Sequence, residues 1–149
     1  MSGALLRAAL GVALACAASQ AAAAPLYAIA QPQAKDAPGV HTVLVKVINN
    51  GDAAACRKAM PAADPSQFGT VGAHCVKALP PELAGIDDAG GVAGAYVVKV
   101  TDTAAPGPGY VVRFGMTTQD VQKVCRNLLI YDRSSQTRTA QMSCTPPRH

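Results

Sequence analysis

The chain has no tryptophan, two phenylalanines and four tyrosines in 149 residues, so aromatic side chains make up only 4% of it. A core without large rings must be built from Val, Ala, Leu and Ile, each of which removes less apolar area from water. The same scarcity argues against nucleic-acid binding, for which stacking rings are needed. No later apolar run approaches the roughly 20 residues that span a bilayer, so no transmembrane span is expected. Patterned chemistry is missing as well: there is no phosphate loop, no G-x-S-x-G, no H-E-x-x-H and no C-x-x-C. No catalytic residue, metal ligand or cofactor follows from the sequence.

What the chain does have begins at its front. Arg7 precedes the apolar run Ala8 to Ala18, and the small residues Ser19-Gln20-Ala21-Ala22-Ala23-Ala24 follow. These are the n-, h- and cleavage regions of a secretory signal, expected to occupy residues 1–23 with cleavage after Ala21 or Ala23. Cys16 then leaves with the signal. The alternative is a lipid-anchored envelope assembly factor, because Ala13-Leu14-Ala15-Cys16 resembles a lipobox, although Ala13 stands where such boxes usually carry Leu.

About 125 residues remain, the size of one domain. They hold four cysteines, Cys56, Cys75, Cys125 and Cys144. In an exported chain an even set of this kind is a disulfide framework. Four cysteines allow three connectivities; the two local pairs, each with 18 residues between its members, are the expected one. Each such loop would contribute about 3 kcal/mol on chain-entropy grounds. A zinc site would want closely spaced ligands, and His74 beside Cys75 is the nearest approach.

Residues 24–38 are polar and proline-marked and are expected as a flexible lead-in to a single domain at 39–149. His41 to Ile48 is β-branched and apolar on both faces, hence a buried strand. Asp52 is a good N-cap for a short helix over Ala53 to Met60 that carries Cys56. Pro61 to Gly72 is turn-rich, one helical turn is expected around Cys75, and Leu83 to Gly94 reads as a long loop in which Asp87-Asp88 form a solvated turn. Ala95 to Thr101 and Tyr110 to Phe114 should pair as a hairpin, each placing one set of apolar residues on one face. The connection through Pro106, Gly107 and Pro108 is too long for a tight turn and is a candidate contact loop. Thr117 and Asp120 then open the clearest helix, with Val121, Val124, Cys125, Leu128 and Leu129 on one face. Thr137 to Cys144 closes the chain as a strand. The predicted class is α+β: an antiparallel sheet of about four strands, two helices and two disulfides.

Cys56 to Cys75 aligns without gaps on Cys125 to Cys144, also matching Ser66 with Ser135, Gln67 with Gln136 and Thr70 with Thr139. This points to two degenerate strand-helix-Cys units, at about 40–79 and 108–145. The stretch Phe114-Gly115-Met116-Thr117-x-x-Asp120-Val121 resembles the helix-opening motif of the small envelope lipoproteins of the outer-membrane assembly type and of the related secreted β-lactamase-inhibitor proteins. The likeness covers about eight residues of 149, and the glycine-proline step that follows the helix in that family is missing. It implies a binding role.

From Arg113 onward six basic residues face two acidic ones. Arg113, Lys123, Arg126, Arg133 and Arg138 are therefore a candidate basic contact face for an anionic partner such as lipopolysaccharide, a wall polymer or an acidic protein. The functional expectation is an exported, non-enzymatic domain of the bacterial periplasm or cell envelope that binds a protein or an anionic polymer. An exported hydrolase is the remaining alternative, with Ser66, Ser134, Ser135, His41 and His74 supplying its atoms.

Overall fold

The computed structural model of the chain describes residues 24–32, 35–49, 52–59, 70–102, 107–134 and 140–149. The predicted signal, Cys16, Pro106, Arg138, Ser66 and Ser135 lie outside the described residues. The strands are β1 (Leu26–Pro32), β2 (His41–Ile48), β3 (Thr70–Val76), β4 (Ala95–Asp102), β5 (Gly109–Phe114) and β6 (Ala140–Thr145). They form one antiparallel sheet in the order β3-β1-β2-β5-β4-β6. Helix α1 (Ala53–Ala59) follows β2, and α2 (Thr118–Ser134) follows β5. The α+β class and the two helices agree with the sequence reading, but the sheet has six strands rather than about four.

Both additional strands were hidden by composition. Residues 24–38, expected as a flexible lead-in, contain β1, an Ala-rich strand with little intrinsic β preference. It forms because β2 and β3 flank it and Leu26, Ala28, Ile29 and Ala30 are buried. The helical turn expected around Cys75 is β3, a sheet edge that pairs Ala28 with Cys75. In both cases tertiary pairing overrides local propensity.

Helix starts follow capping chemistry. The Asp52 carboxylate accepts the Ala54 N–H at 2.8 Å, and the Thr117 hydroxyl accepts the Asp120 N–H at 3.1 Å while donating to its carboxylate at 2.7 Å. These side chains satisfy donors that no helical carbonyl can reach. Met116, Val121, Val124 and Cys125 then pack on Tyr96, Val98 and Val100. Leu26, Ala28, Ile48, Cys56 and Ala55 form the matching cluster under α1.

The hairpin of β4 and β5 pairs Tyr96 with Arg113 and Lys99 with Tyr110. Directly paired residues share a face, so the two apolar sets point in opposite directions. Tyr96, Val98 and Val100 lie under α2, while Tyr110, Val112 and Phe114 belong to the cluster on the other side. That second face is covered by the segment expected as a loop, through a short 3-10 turn (Pro81–Leu83) and the buried Leu83, Ile86 and Val92. Residues 77–94 thus form a strap across the sheet. The chain end pins it, since Arg148 N–H donates to the Val92 carbonyl at 3.0 Å.

The order of the sheet repeats one unit. β1-β2-α1-β3 occupies one half and β4-β5-α2-β6 the other, related by an approximate two-fold axis between β2 and β5. The disulfides Cys56–Cys75 and Cys125–Cys144 join helix to last strand in each half, with the same sequence separation of 19. A shift of 69 residues carries one pair of cysteines onto the other and Leu26 onto Ala95, the first residues of β1 and β4. The repeated unit therefore runs over Leu26–Val76 and Ala95–Thr145, and includes the first strand of each half that the bounds read from sequence omitted.

Candidate functional site

An axis normal to the sheet puts both helices on the same face, one at each end. Each is held down by its disulfide, with Cα–Cα distances of 6.3 Å for Cys56–Cys75 and 5.7 Å for Cys125–Cys144. The strip of sheet between them is an apolar groove of about 220 Å³, lined among others by Ala28, Ala30, Leu44, Val100, Gly109 and Val111. The register explains the floor: Ala30 pairs with Leu44 and Leu44 with Val111, while Ala28 pairs with Lys46 and Lys46 with Gly109. Three of these positions carry one side-chain carbon or none, which leaves a depression where larger residues would fill the space.

Among the described residues, Lys46 is the one charged residue lining the groove. Its Nζ donates to the Gly107 carbonyl at 2.6 Å, and its stem lies over Gly109, where a Cβ would stand 3.9 Å from Lys46 Cδ. The only ion pair among the described side chains is Lys99 with Asp87. Sequence reasoning passed over Lys46 because it sits within a strand that is apolar on both sides of it. The available signal was a lone cation in that strand opposite a glycine, legible only once the register is known.

At the other end of the strip lies a polar row. Thr42, 2% exposed, accepts Arg113 Nε at 3.1 Å through its hydroxyl and donates that hydroxyl to Asp36 Oδ1 at 2.7 Å. Its backbone N–H donates to Asp36 Oδ2 at 2.8 Å. Arg113 Nη1 also reaches the Tyr96 hydroxyl at 3.5 Å. Arg113 is thereby engaged within the sheet. Lys123 and Arg126 instead lie exposed along α2 and line a shallow depression with Gln119 and Gln122. Arg133 belongs to α2, with its side chain outside the described residues.

The contact loop is tied back to the sheet where it is described. Pro108 accepts the Val47 N–H at 3.0 Å. Gly107 has φ +81°, and a Cβ there would run into the Val47 carbonyl. Both residues are half-buried.

Across the sheet, Asp87 lies in an exposed turn, as expected, and there it also accepts two side-chain hydrogen bonds. Lys99 Nζ donates to its Oδ1 at 2.7 Å and the Tyr110 hydroxyl at 2.6 Å. The hydrogen bond from Lys99 and then that from Tyr110 hold the Asp87 carboxyl below the usual carboxylate range. Burial first, then the bond to Asp87 and its charge, push the Tyr110 phenol above its ordinary value. His41 and His74 are engaged elsewhere: His41 stacks on Phe114 with ring centroids 6.2 Å apart, and His74 Nδ1 lies 2.8 Å from the Gly72 carbonyl. Among the described residues no group of three metal-ligating side chains occurs, and no helix is long and apolar enough to cross a membrane.

No family model, curated protein or solved structure matches this chain.

Proposed function

We propose that the protein is an exported, non-enzymatic binding domain of the periplasm or cell envelope, and that its working surface is the open strip between the two clamped helices. The observation that carries this reading is the groove itself, whose described lining is apolar except for Lys46. The strap covers the core cluster on the opposite face, with a more polar depression of about 350 Å³ beside Tyr27, Val47, Asp87 and Tyr110, while the helix face keeps an apolar depression between two helices that disulfides tie to the sheet edges. Rigid walls on a preformed site lower the ordering cost of binding. The disulfides and the signal-like front are consistent with an oxidising compartment.

Charge favours an anionic partner, a protein or an envelope polymer. Lys46 lies in the groove, Arg57 and Lys58 are exposed at the end of α1, and Lys123 and Arg126 are exposed on α2. Of the carboxylates on this side whose side chains are described, Asp52 and Asp120 cap helices and Asp36 is bound by Thr42; Asp102, on the same face of β4 as Val100, and Asp132 of α2 have side chains outside the described residues. The strap on the far side carries Glu82, Asp87 and Asp88 against Lys77, with Asp87 paired to Lys99. A surface polarised in this way steers anions toward the helix face.

The test is an NMR titration of isotopically labelled protein with polyglutamate, a defined polyanion, at low salt and at roughly 0.5 M salt, where surface charges are screened within a few ångströms. Shifts on α2 and the groove strands that collapse at high salt are expected. Shifts confined to the strap, or none at low salt, would remove this reading.

A further inference from the structure

The groove combines two properties that are rarely served by one ligand: a wall that is apolar almost throughout, and one ammonium group at the edge. Lys46 is half-buried and Gly107 takes only one of its three N–H donors. Among the described side chains no carboxylate pairs with it. A cation beside apolar surface is best satisfied by a counter-charge. A neutral hydrocarbon would fill the floor and leave the ammonium unserved. A small inorganic anion would serve the ammonium and leave the floor wet.

Size narrows the choice further. At about 220 Å³ the groove is below the roughly 300–1,000 Å³ of drug-sized pockets. It suits a linear chain of about eight carbons at the density of a protein interior. The floor runs from Leu44 and Val111 to Lys46 and Gly109, successive same-face positions of β2 and β5, so a chain lying along the strands would end at the ammonium. Among the described residues the groove is lined by a single cation, which calls for a single negative charge. We infer that the groove binds a monocarboxylate with a medium-length alkyl tail, the carboxylate on Lys46 Nζ and the tail over Leu44, Val111, Ala28 and Ala30. This assignment rests on the reading of the open strip as the working surface and names its ligand class.

Titration with decanoate, followed by amide shifts and kept below the micellar concentration, tests it, with decanol as the uncharged chain and butyrate as the short acid. Decanoate is expected to shift Leu44, Val100 and Val111, and to bind on the order of tenfold or more tightly than decanol, as for a hydrogen bond to a charged group. Butyrate is expected to bind weakly or not at all. Lys46→Met should abolish the preference for the acid over the alcohol while decanol still binds, and Val111→Phe should block both. Equal binding of decanoate and decanol to the unaltered protein would overturn the role of Lys46 without any variant having to fold. Absence of decanoate shifts in the groove would overturn the ligand class. If polyglutamate still shifts the helix face in that case, the binding surface stands and only the alkyl carboxylate falls.

Discussion

Thr42 shows how one side chain joins two halves of a polar row. Its hydroxyl accepts from Arg113 and donates to Asp36, and the residue is almost fully buried. Thr42→Val keeps the shape and removes both bonds. It leaves the Arg113 Nε and one Asp36 oxygen without their partner, at a cost of about 1–3 kcal/mol. Urea unfolding is expected to show that loss with an unchanged slope; a loss below about 0.5 kcal/mol would mean that water replaces the hydroxyl. Little of this was open to sequence reasoning. Arg113 was assigned to a basic contact face because its charge is visible and its partners are not: Thr42 is 71 residues away. Capping was legible, because Thr117 and Asp120 stand three apart and the chemistry is local.

At the level of elements, the strap is what sequence patterning could least reveal. Leu83, Ile86 and Val92 are spaced irregularly among glycines and aspartates, so no period marks the segment as core. Yet all three are buried against the sheet. β1 escaped for a related reason, since alanines alternate too weakly to show a strand. β2, β4, β5 and α2 were legible from β-branched runs and a three-to-four spacing that the structure keeps. The strap is pinned by Asp87 to Lys99 and Tyr110, and its hold should follow pH from both ends. The folded Asp87 titrates below its unfolded value near 3.9. Its contribution is therefore present above about pH 4 and lost as acid protonates the folded carboxylate. The Tyr110 phenol is raised in the fold, so its contribution is intact below about pH 10 and lost as alkali ionises it. Asp87→Asn should be less stable than the parent at neutral pH, with the difference shrinking below about pH 3. Thermal unfolding across pH measures this, and a difference that persists at pH 2 would show that charge is not its source. Because Asp87 is largely exposed, the effect should also weaken with salt.

At the scale of the whole molecule, the described strands and α-helices form two ββαβ units joined through β2 and β5, with the strap between them in sequence. The equal spacing of the cysteines made the halves visible in the sequence, and the reversed strand order that unites them in one sheet was not. Each half has its own staple around a loop of the same length, so the chain-entropy account assigns them the same worth, about 3 kcal/mol apiece. Together they would supply about 6 kcal/mol, comparable to the lower end of total stabilities for such domains. What the staples do not do is bridge the halves. That task falls to the β2–β5 ladder and to the strap cluster, in which Ile29, Val43 and Val45 of the first unit pack with Val97, Tyr110 and Val112 of the second. A core shared in this way makes unfolding a single transition even when one staple is missing. Cys56→Ala with Cys75→Ala, and separately Cys125→Ala with Cys144→Ala, should each lower stability by similar amounts and retain one cooperative transition by both circular dichroism and tyrosine fluorescence. Two separated transitions in either double variant would show that the halves fold independently and that the sheet centre contributes little. Strongly unequal losses would instead show that native-state strain or residual unfolded structure, and not loop length, sets the worth of each bridge. Loss of a staple also loosens the helix that walls one side of the groove, so ligand binding should weaken in both variants even where the protein remains folded.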